Sequence, residues 1–169
     1  MTLTQGIMSD AAKDLETFID SLGLRYFRGA EFTSYWTRKR GAVENAVPPR
    51  ELWKNIVPTL IVADELRQQI GSPCDVLSSY RSPSYNRAVG GERASYHMKF
   101  MALDLTFDKG NASLWHTQAV ALRGHRFPFP DVDGVPWKGS FAWRGGIGLY
   151  VKSNFIHIDS RGYDADWRG

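Results

Sequence analysis

The sequence predicts an α+β domain with a central, mostly antiparallel sheet and flanking helices. Segments with helical spacing of apolar residues come early in the chain, strand-like segments come late, and the links between strands are short. The chain has 169 residues, of which 43% are hydrophobic, so it contains enough apolar material for one core. We therefore treat residues 1–169 as a single domain.

Four segments are predicted as helices because apolar residues recur at helical spacing between capping and stopping residues. They are residues 9–22, about 50–70, 84–89 and about 111–122. Ser9 is the expected cap of the first, and Pro58 should kink the second or split it in two. The aromatic-rich stretch 24–35 between them is expected to be irregular.

Four segments are predicted as strands, and the last two are joined by a tight turn at 152–154. They are residues 74–80, 101–107, 146–151 and 155–159. Residues 124–145 are rich in Pro, Gly and Trp without periodicity, which indicates a long ordered loop of the kind that often walls a site. Trp137, Trp143 and Trp167 either line a groove for glycan or peptide or pack the loop-rich segments.

Composition excludes several classes of protein. A net charge of +3 without dense basic clusters argues against a nucleic-acid partner, and the single cysteine, Cys74, rules out an intrachain disulfide and a zinc ribbon. No stretch approaches the about 20 apolar residues of a membrane span, so we expect no membrane insertion. The N-terminus lacks the features of a signal peptide, which predicts a cytoplasmic protein or one released to the cell wall by a separate export route. We expect a monomer.

Two groups of histidine and aspartate carry the chemistry. His97 is followed by Asp104 inside an apolar strand, and His157 lies two residues before Asp159, on the same face of another strand. Two imidazoles and one carboxylate, with a fourth position open, are the usual ligands of a catalytic zinc. The alternative is that each histidine is a core residue and each aspartate an ion-pair partner. His116 and His125 are expected to be structural.

The surrounding residues resemble a known family. The motif Ser-x-His-x-x-Gly-x-Ala-x-Asp is matched, apart from its glycine, by Ser95, His97, Ala102 and Asp104. Upstream lies Ser79-Tyr80-Arg81-Ser82-Pro83, and downstream lie the segments 145–150 and 155–161. Together these blocks resemble the zinc D-Ala-D-Ala carboxypeptidase family of peptidoglycan metallopeptidases, whose fold is similar to that of the hedgehog signalling domain. The resemblance covers about residues 24–162.

This resemblance implies roles for individual residues. One zinc ion would be bound by His97, Asp104 and His157. Arg81 would act in catalysis and bind a substrate carboxylate or carbonyl, with Ser95 and Tyr80 also binding substrate. The alternatives are an ion pair that fixes the turn for Arg81 and a loop cap for Ser95.

The chain departs from the family at two points. Phe100 stands where the motif has glycine, and Asn154 stands where other branches place a carboxylate three residues before the third ligand. A further branch has His-x-His where this chain has His-x-Asp. Asp159 is therefore the remaining candidate for the catalytic base; alternatively it orients a histidine or pairs with Arg161.

The resemblance implies a zinc peptidase that cleaves D-amino-acid-containing peptides of bacterial peptidoglycan, as a phage-derived lysin would. It leaves open carboxypeptidase, dipeptidase and endopeptidase action. A non-catalytic zinc-binding module that recognises peptidoglycan or a protein is the main alternative, and a cytosolic peptidase with another substrate is a third.

Overall fold

The computed structural model describes the backbone of residues 3–169 and the side chains of residues 10–32 and 34–169. The helices are α1 (Leu3–Ser21), α2 (Ala30–Trp36), α3 (Val57–Ile70), α4 (Pro83–Ala88) and α5 (Ala112–Ala121), with 3-10 helices at Arg50–Ile56 and Tyr96–Lys99. The strands are β1 (Lys39–Arg40), β2 (Val43–Glu44), β3 (Cys74–Ser78), β4 (Ala102–Phe107), β5 (Arg126–Pro128), β6 (Ser140–Ala142), β7 (Gly146–Tyr150), β8 (Phe155–Asp159) and β9 (Ala165–Arg168). None of the helices within this range has the length and apolar character needed to cross a bilayer.

A five-stranded sheet in the order β3-β4-β8-β7-β9 forms the centre of the fold. The pairs β3–β4, β4–β8 and β8–β7 are antiparallel, and only β9 runs parallel to its neighbour β7. Two short ribbons, β1–β2 and β5–β6, lie outside it. The predicted α+β class with a mostly antiparallel sheet is therefore confirmed.

The two faces of the sheet have different chemistry because side chains alternate along each strand. Leu103 and Leu105 of β4 and Ile156 and Ile158 of β8 are fully buried on the face that α3 and α5 cover. The residues between them in sequence point to the opposite face. Burial of one apolar face thus leaves the polar residues of the same strands on the other.

The helices agree with the prediction in part. The segment 50–70 is split as expected, with Pro58 in the first turn of α3, where its missing N–H costs no helical hydrogen bond. The first helix begins at Leu3, so the expectation that Ser9 caps its start is wrong. The stretch expected to be irregular contains α2 except for its last residue, Trp36. Buried Phe32 and Trp36 anchor this helix, whose dense aromatic composition hides the helical spacing.

Two strand features were missed besides the β1–β2 ribbon. The expected loop 124–145 contains the β5–β6 ribbon, which contributes the aromatic pair Phe127–Phe141. The C-terminal strand β9 is short and half exposed, so it lacks a clear hydrophobic pattern. Arg123 holds β9 in place, since its Nη2 donates to the carbonyls of Gly145 and Ala165 at 2.9 Å each.

Candidate metal centre

The strand register brings the polar residues together. Ser78 lies opposite Asp104, Asp104 opposite His157, His157 opposite Gly148, and Gly148 opposite Trp167, so one row crosses all five strands. A one-residue slip of any strand would turn its member of the row to the other face. The proximity of residues 104 and 157, far apart in sequence, is thus a consequence of sheet register.

His97 lies outside the sheet, in the 3-10 helix Tyr96–Lys99. The Ser95 hydroxyl accepts the His97 backbone N–H at 3.3 Å, which caps the start of this helix. Phe100 ends it in the left-handed region, at φ 52° and ψ 49°, with its ring fully buried. Glycine adopts this conformation without strain, so the backbone at Phe100 is one that the glycine of the family motif would also fit.

The predicted ligand residues form one buried cluster. Asp104 Oδ1 lies 3.2 Å from His97 Nε2 and 2.9 Å from His157 Nδ1, and the three residues offer ligand atoms within 4.8 Å of one another. Tetrahedral zinc with bonds of about 2.0–2.1 Å places neighbouring ligand atoms about 3.3 Å apart. The two distances to Asp104 Oδ1 are close to this value, and the upper limit of 4.8 Å on the remaining pair is compatible with a shared zinc ion.

The partners of the two imidazoles determine which nitrogens are free. His97 Nδ1 lies 2.6 Å from the carbonyl oxygen of Ser79, which only accepts, so Nδ1 carries the proton. His157 Nε2 lies 2.9 Å from Asp159 Oδ2 and donates its proton there. When His157 is neutral, His97 Nε2, His157 Nδ1 and Asp104 Oδ1 therefore face one another with lone pairs, and a bound cation stabilises that state.

The surrounding charges favour a positive charge at the cluster. Burial alone would raise the pKa of Asp104, but His97 and His157 outweigh it and hold that pKa well below its usual range. Burial alone would lower the pKa of His157, yet its hydrogen bonds with Asp104 and Asp159 outweigh it, and the pKa is raised. Burial lowers the pKa of His97 and keeps its ring neutral, as a metal ligand must be.

Arg81 binds the oxygen of the Asp104 carboxylate that does not contact the histidines. Its Nη2 donates to Asp104 Oδ2 at 3.0 Å, and its Nε donates to the Ser78 hydroxyl at 2.9 Å. This contact occupies Oδ2 and leaves Oδ1 directed at the two histidines. Arg81 also lines the cleft described below, so its side chain reaches both the ligand and the open space.

Asp159 lies on the far side of the His157 ring from Asp104. It is completely buried, and its Oδ1 accepts the Gly146 backbone N–H at 3.0 Å. Arg161 donates two hydrogen bonds to the same carboxylate, from Nη2 to Oδ2 at 2.7 Å and from Nε to Oδ1 at 2.9 Å. Burial alone would raise the pKa of Asp159, but the hydrogen bonds from His157, Arg161 and Gly146 outweigh it and hold that pKa far below its usual range. The imidazole of His157 therefore separates Asp159 from the ligand atoms.

The cluster opens onto a cleft of about 980 Å³. Arg81 and Ser95 line it together with the three candidate ligands, as does the exposed Glu92 on the preceding loop. Aromatic side chains form much of the remaining wall: Tyr96, Tyr150, Phe155, Tyr163 and Trp167. Of the three tryptophans in question, Trp167 thus reaches the cleft, whereas Trp143 is buried in the core.

Two residues singled out by sequence have other positions. Tyr80 is buried, with its ring 6.1 Å from that of Phe100, and it is not among the residues that line the cleft; its role in substrate binding stays a prediction. Asn154 adopts φ 51° in the turn before β8, and its Oδ1 accepts the Ala112 backbone N–H at the start of α5 at 2.9 Å. Position 154 therefore serves the turn and the helix rather than the cleft.

Two glycines of β7 make room for the site. A Cβ on Gly148 would lie 2.5 Å from Trp167 Nε1, and one on Gly146 would lie 2.6 Å from both Arg161 Nη2 and Asp159 Oδ2. Both distances are too short for non-bonded atoms. The Gly-x-Gly pattern in this strand is the sequence signal that could have revealed the close approach of Trp167 and Arg161.

Comparisons with known proteins agree with this geometry. A family model described as Peptidase M15 matches residues 25–130, which include His97 and Asp104. Peptidoglycan L,D-endopeptidase MepK of Escherichia coli K12 is 32% identical over 94 residues, or 52% of this chain, and the protein of the same name from Shigella flexneri is similar to the same extent. The chain spans 40% of the length of these relatives. No solved structure matches it.

Proposed function

Because the chain belongs to the peptidase M15 family, we propose that it is a zinc-dependent peptidase that cleaves bonds involving D-amino acids in bacterial peptidoglycan. The name of the related L,D-endopeptidases supports this class of substrate. We propose further that the sheet and helices form the fold shared by the DD-peptidases and the hedgehog domain. A monomeric state and phage-type release to the wall stay predictions.

The arrangement of three facing lone pairs carries the proposal. Since the Ser79 carbonyl and the Asp159 carboxylate take the imidazole protons, His97 and His157 turn their free nitrogens toward Asp104 Oδ1. We propose that these three residues hold zinc. Zinc bound there supplies a water of lowered pKa, near 7, and polarises a carbonyl group.

The neighbouring residues receive positioning roles from their contacts. Arg81 holds Asp104 by its outer oxygen and presents its guanidinium to the cleft, where it would bind a peptide carbonyl or carboxylate. Ser95 caps the loop that carries His97. Asp159 orients His157 rather than acting as the base, because the His157 ring separates it from the ligand atoms.

A non-catalytic zinc-binding module that recognises peptidoglycan is the second candidate. One observation favours it: Asp159 is enclosed behind His157, and the Asn154 side chain is bonded to the Ala112 N–H at the start of α5, so neither position places a proton acceptor beside the cluster. Such a module would bind zinc and peptidoglycan without releasing fragments. The two candidates therefore differ in a single measurable product.

The test combines metal analysis with digestion of purified peptidoglycan, followed by mass spectrometry of the released fragments. We expect about one zinc per chain, fragment release that a chelator abolishes and zinc restores, and loss of both metal and release in His157→Ala. His116→Ala is the matched control, because His116 lies on α5 at 3.6 Å from Asp166 and outside the cluster. Zinc retained in full by both His97→Ala and His157→Ala would refute the site, and zinc with binding but no fragments would favour the recognition module.

A further inference from the structure

Arg161, in the connection between β8 and β9, contacts both the proposed zinc-binding machinery and the wall of the cleft. We propose that Arg161 is a positioning residue that couples the orientation of His157 to the aromatic wall formed by Tyr96, Tyr163 and Trp167. The proposal rests on the zinc site proposed above. It adds a residue that touches none of the ligand atoms yet determines how they and the wall are held.

The first half of the coupling runs through Asp159. Arg161 makes a forked contact with its carboxylate, and the backbone N–H of Arg161 also donates to Oδ1, at 3.1 Å. The planar fork fixes the plane of the carboxylate as well as its position. Asp159 Oδ2, so held, accepts the proton of His157 Nε2 and keeps Nδ1 directed at Asp104. Partners of this kind are what set the ring orientation of metal-binding histidines.

The second part of the coupling consists of contacts between the Arg161 guanidinium and the aromatic rings of the cleft wall. The Arg161 Cζ lies 4.5 Å from the ring centre of Tyr96, 5.0 Å from that of Trp167 and 5.6 Å from that of Tyr163. These are distances at which a cation is attracted to an aromatic ring. The three rings meet around this one side chain and line the cleft.

Direct contacts tie the wall to the histidine a second time. The indole of Trp167 lies with its ring centre 5.0 Å from that of His157, and the hydroxyls of Tyr96 and Tyr163 are 3.5 Å apart. Gly146 provides the space, because a Cβ there would collide with Arg161. A change at Arg161 should therefore alter metal binding and substrate binding together.

The test compares Arg161→Gln and Arg161→Lys with a matched control, Arg67→Gln. The side chain of Arg67 is 17% exposed, against 14% for Arg161, and it also pairs with a carboxylate, that of Glu31 at 2.9 Å. It stacks over Phe27 at 4.8 Å, outside the cleft. The control therefore loses the same kinds of interaction without touching the proposed site.

Four quantities are measured: thermal stability, zinc affinity by chelator competition, the absorption spectrum of the Co²⁺-substituted protein, and KM for peptidoglycan fragments at saturating zinc. For Arg161→Gln we expect zinc affinity to fall by about 10–100-fold, an altered Co²⁺ spectrum, and a KM raised several-fold. Arg161→Lys keeps the charge but loses the fork, so it should show smaller changes in the same direction. Arg67→Gln should change thermal stability alone.

The coupling is supported if Arg161→Gln changes both zinc affinity and KM, and it is overturned if either stays at the wild-type value. If Arg161→Gln does not fold, Arg161→Lys decides by the same two criteria. Failure of the proposed function would be distinguished by measurements on the wild-type protein, which would then bind no zinc or release no fragments.

Discussion

At Phe100, backbone strain destabilises the folded state while burial of the ring stabilises it. Its φ of 52° and ψ of 49° cost a residue with a Cβ roughly 1–2 kcal/mol, whereas its ring is fully buried. Replacing Phe100 by Ala removes the ring and keeps the strain, and replacing it by Gly removes both. The two variants together therefore separate packing from backbone conformation beside His97.

The expected magnitudes follow from these two terms. Loss of a buried phenylalanine side chain costs about 3–5 kcal/mol, so Phe100→Ala should be destabilised by that amount. Glycine at this position removes the strain. It also has more conformational freedom in the unfolded chain, which lowers the free energy of unfolding by roughly 0.5–1 kcal/mol relative to alanine. Phe100→Gly should therefore be more stable than Phe100→Ala by roughly 0–1.5 kcal/mol, with a central value of about 0.75 kcal/mol, and less stable than the wild type.

Urea unfolding with a chelator present is the appropriate assay, because bound zinc would otherwise add to the stability of the folded state. Phe32 in α2 is the matched control, since it is equally buried but helical. There the order should be the ordinary one, with Phe32→Gly less stable than Phe32→Ala by about 1 kcal/mol. The same order at position 100 would refute the strain argument, and wild-type stability of Phe100→Gly would refute the packing argument.

Three further variants test the site. Gly148→Ala places a Cβ 2.5 Å from Trp167 Nε1; overpacking of this kind costs about 1–3 kcal/mol, and thermal melting should show it together with a raised KM. If neither changes, the indole is not held there. Asp159→Asn should weaken zinc binding by about 10–100-fold yet keep turnover within a few-fold of wild type at saturating zinc; a loss of about 10²–10⁴-fold there would show that Asp159 is the base after all. Arg81→Lys keeps the charge but loses the joint contact with Asp104 and Ser78, so kcat/KM should fall with little change in melting temperature; the reverse result would make Arg81 purely structural.

Local patterns were sufficient to predict much of the fold. The alternation in β4 predicted that strand, and the two-residue spacing predicted that His157 and Asp159 share one face of β8, because a period of two is visible without knowing the partner strand. Pro58 likewise predicted the break before α3. β9 escaped prediction because a short edge strand buries too little to leave a hydrophobic pattern.

The sequence by itself determined the α+β class and, through the short motif around each residue, the family resemblance and the three candidate ligands that it implies. Only the tertiary structure decided that Asp159 lies behind His157, that Tyr80 is buried, and that Arg161 joins Asp159 to the aromatic wall. Each of these depends on the register of strands distant in sequence and on which side of a ring a partner lies. Residue spacing along the chain predicts neither the strand register nor the side of the ring, since both are set when the sheet assembles.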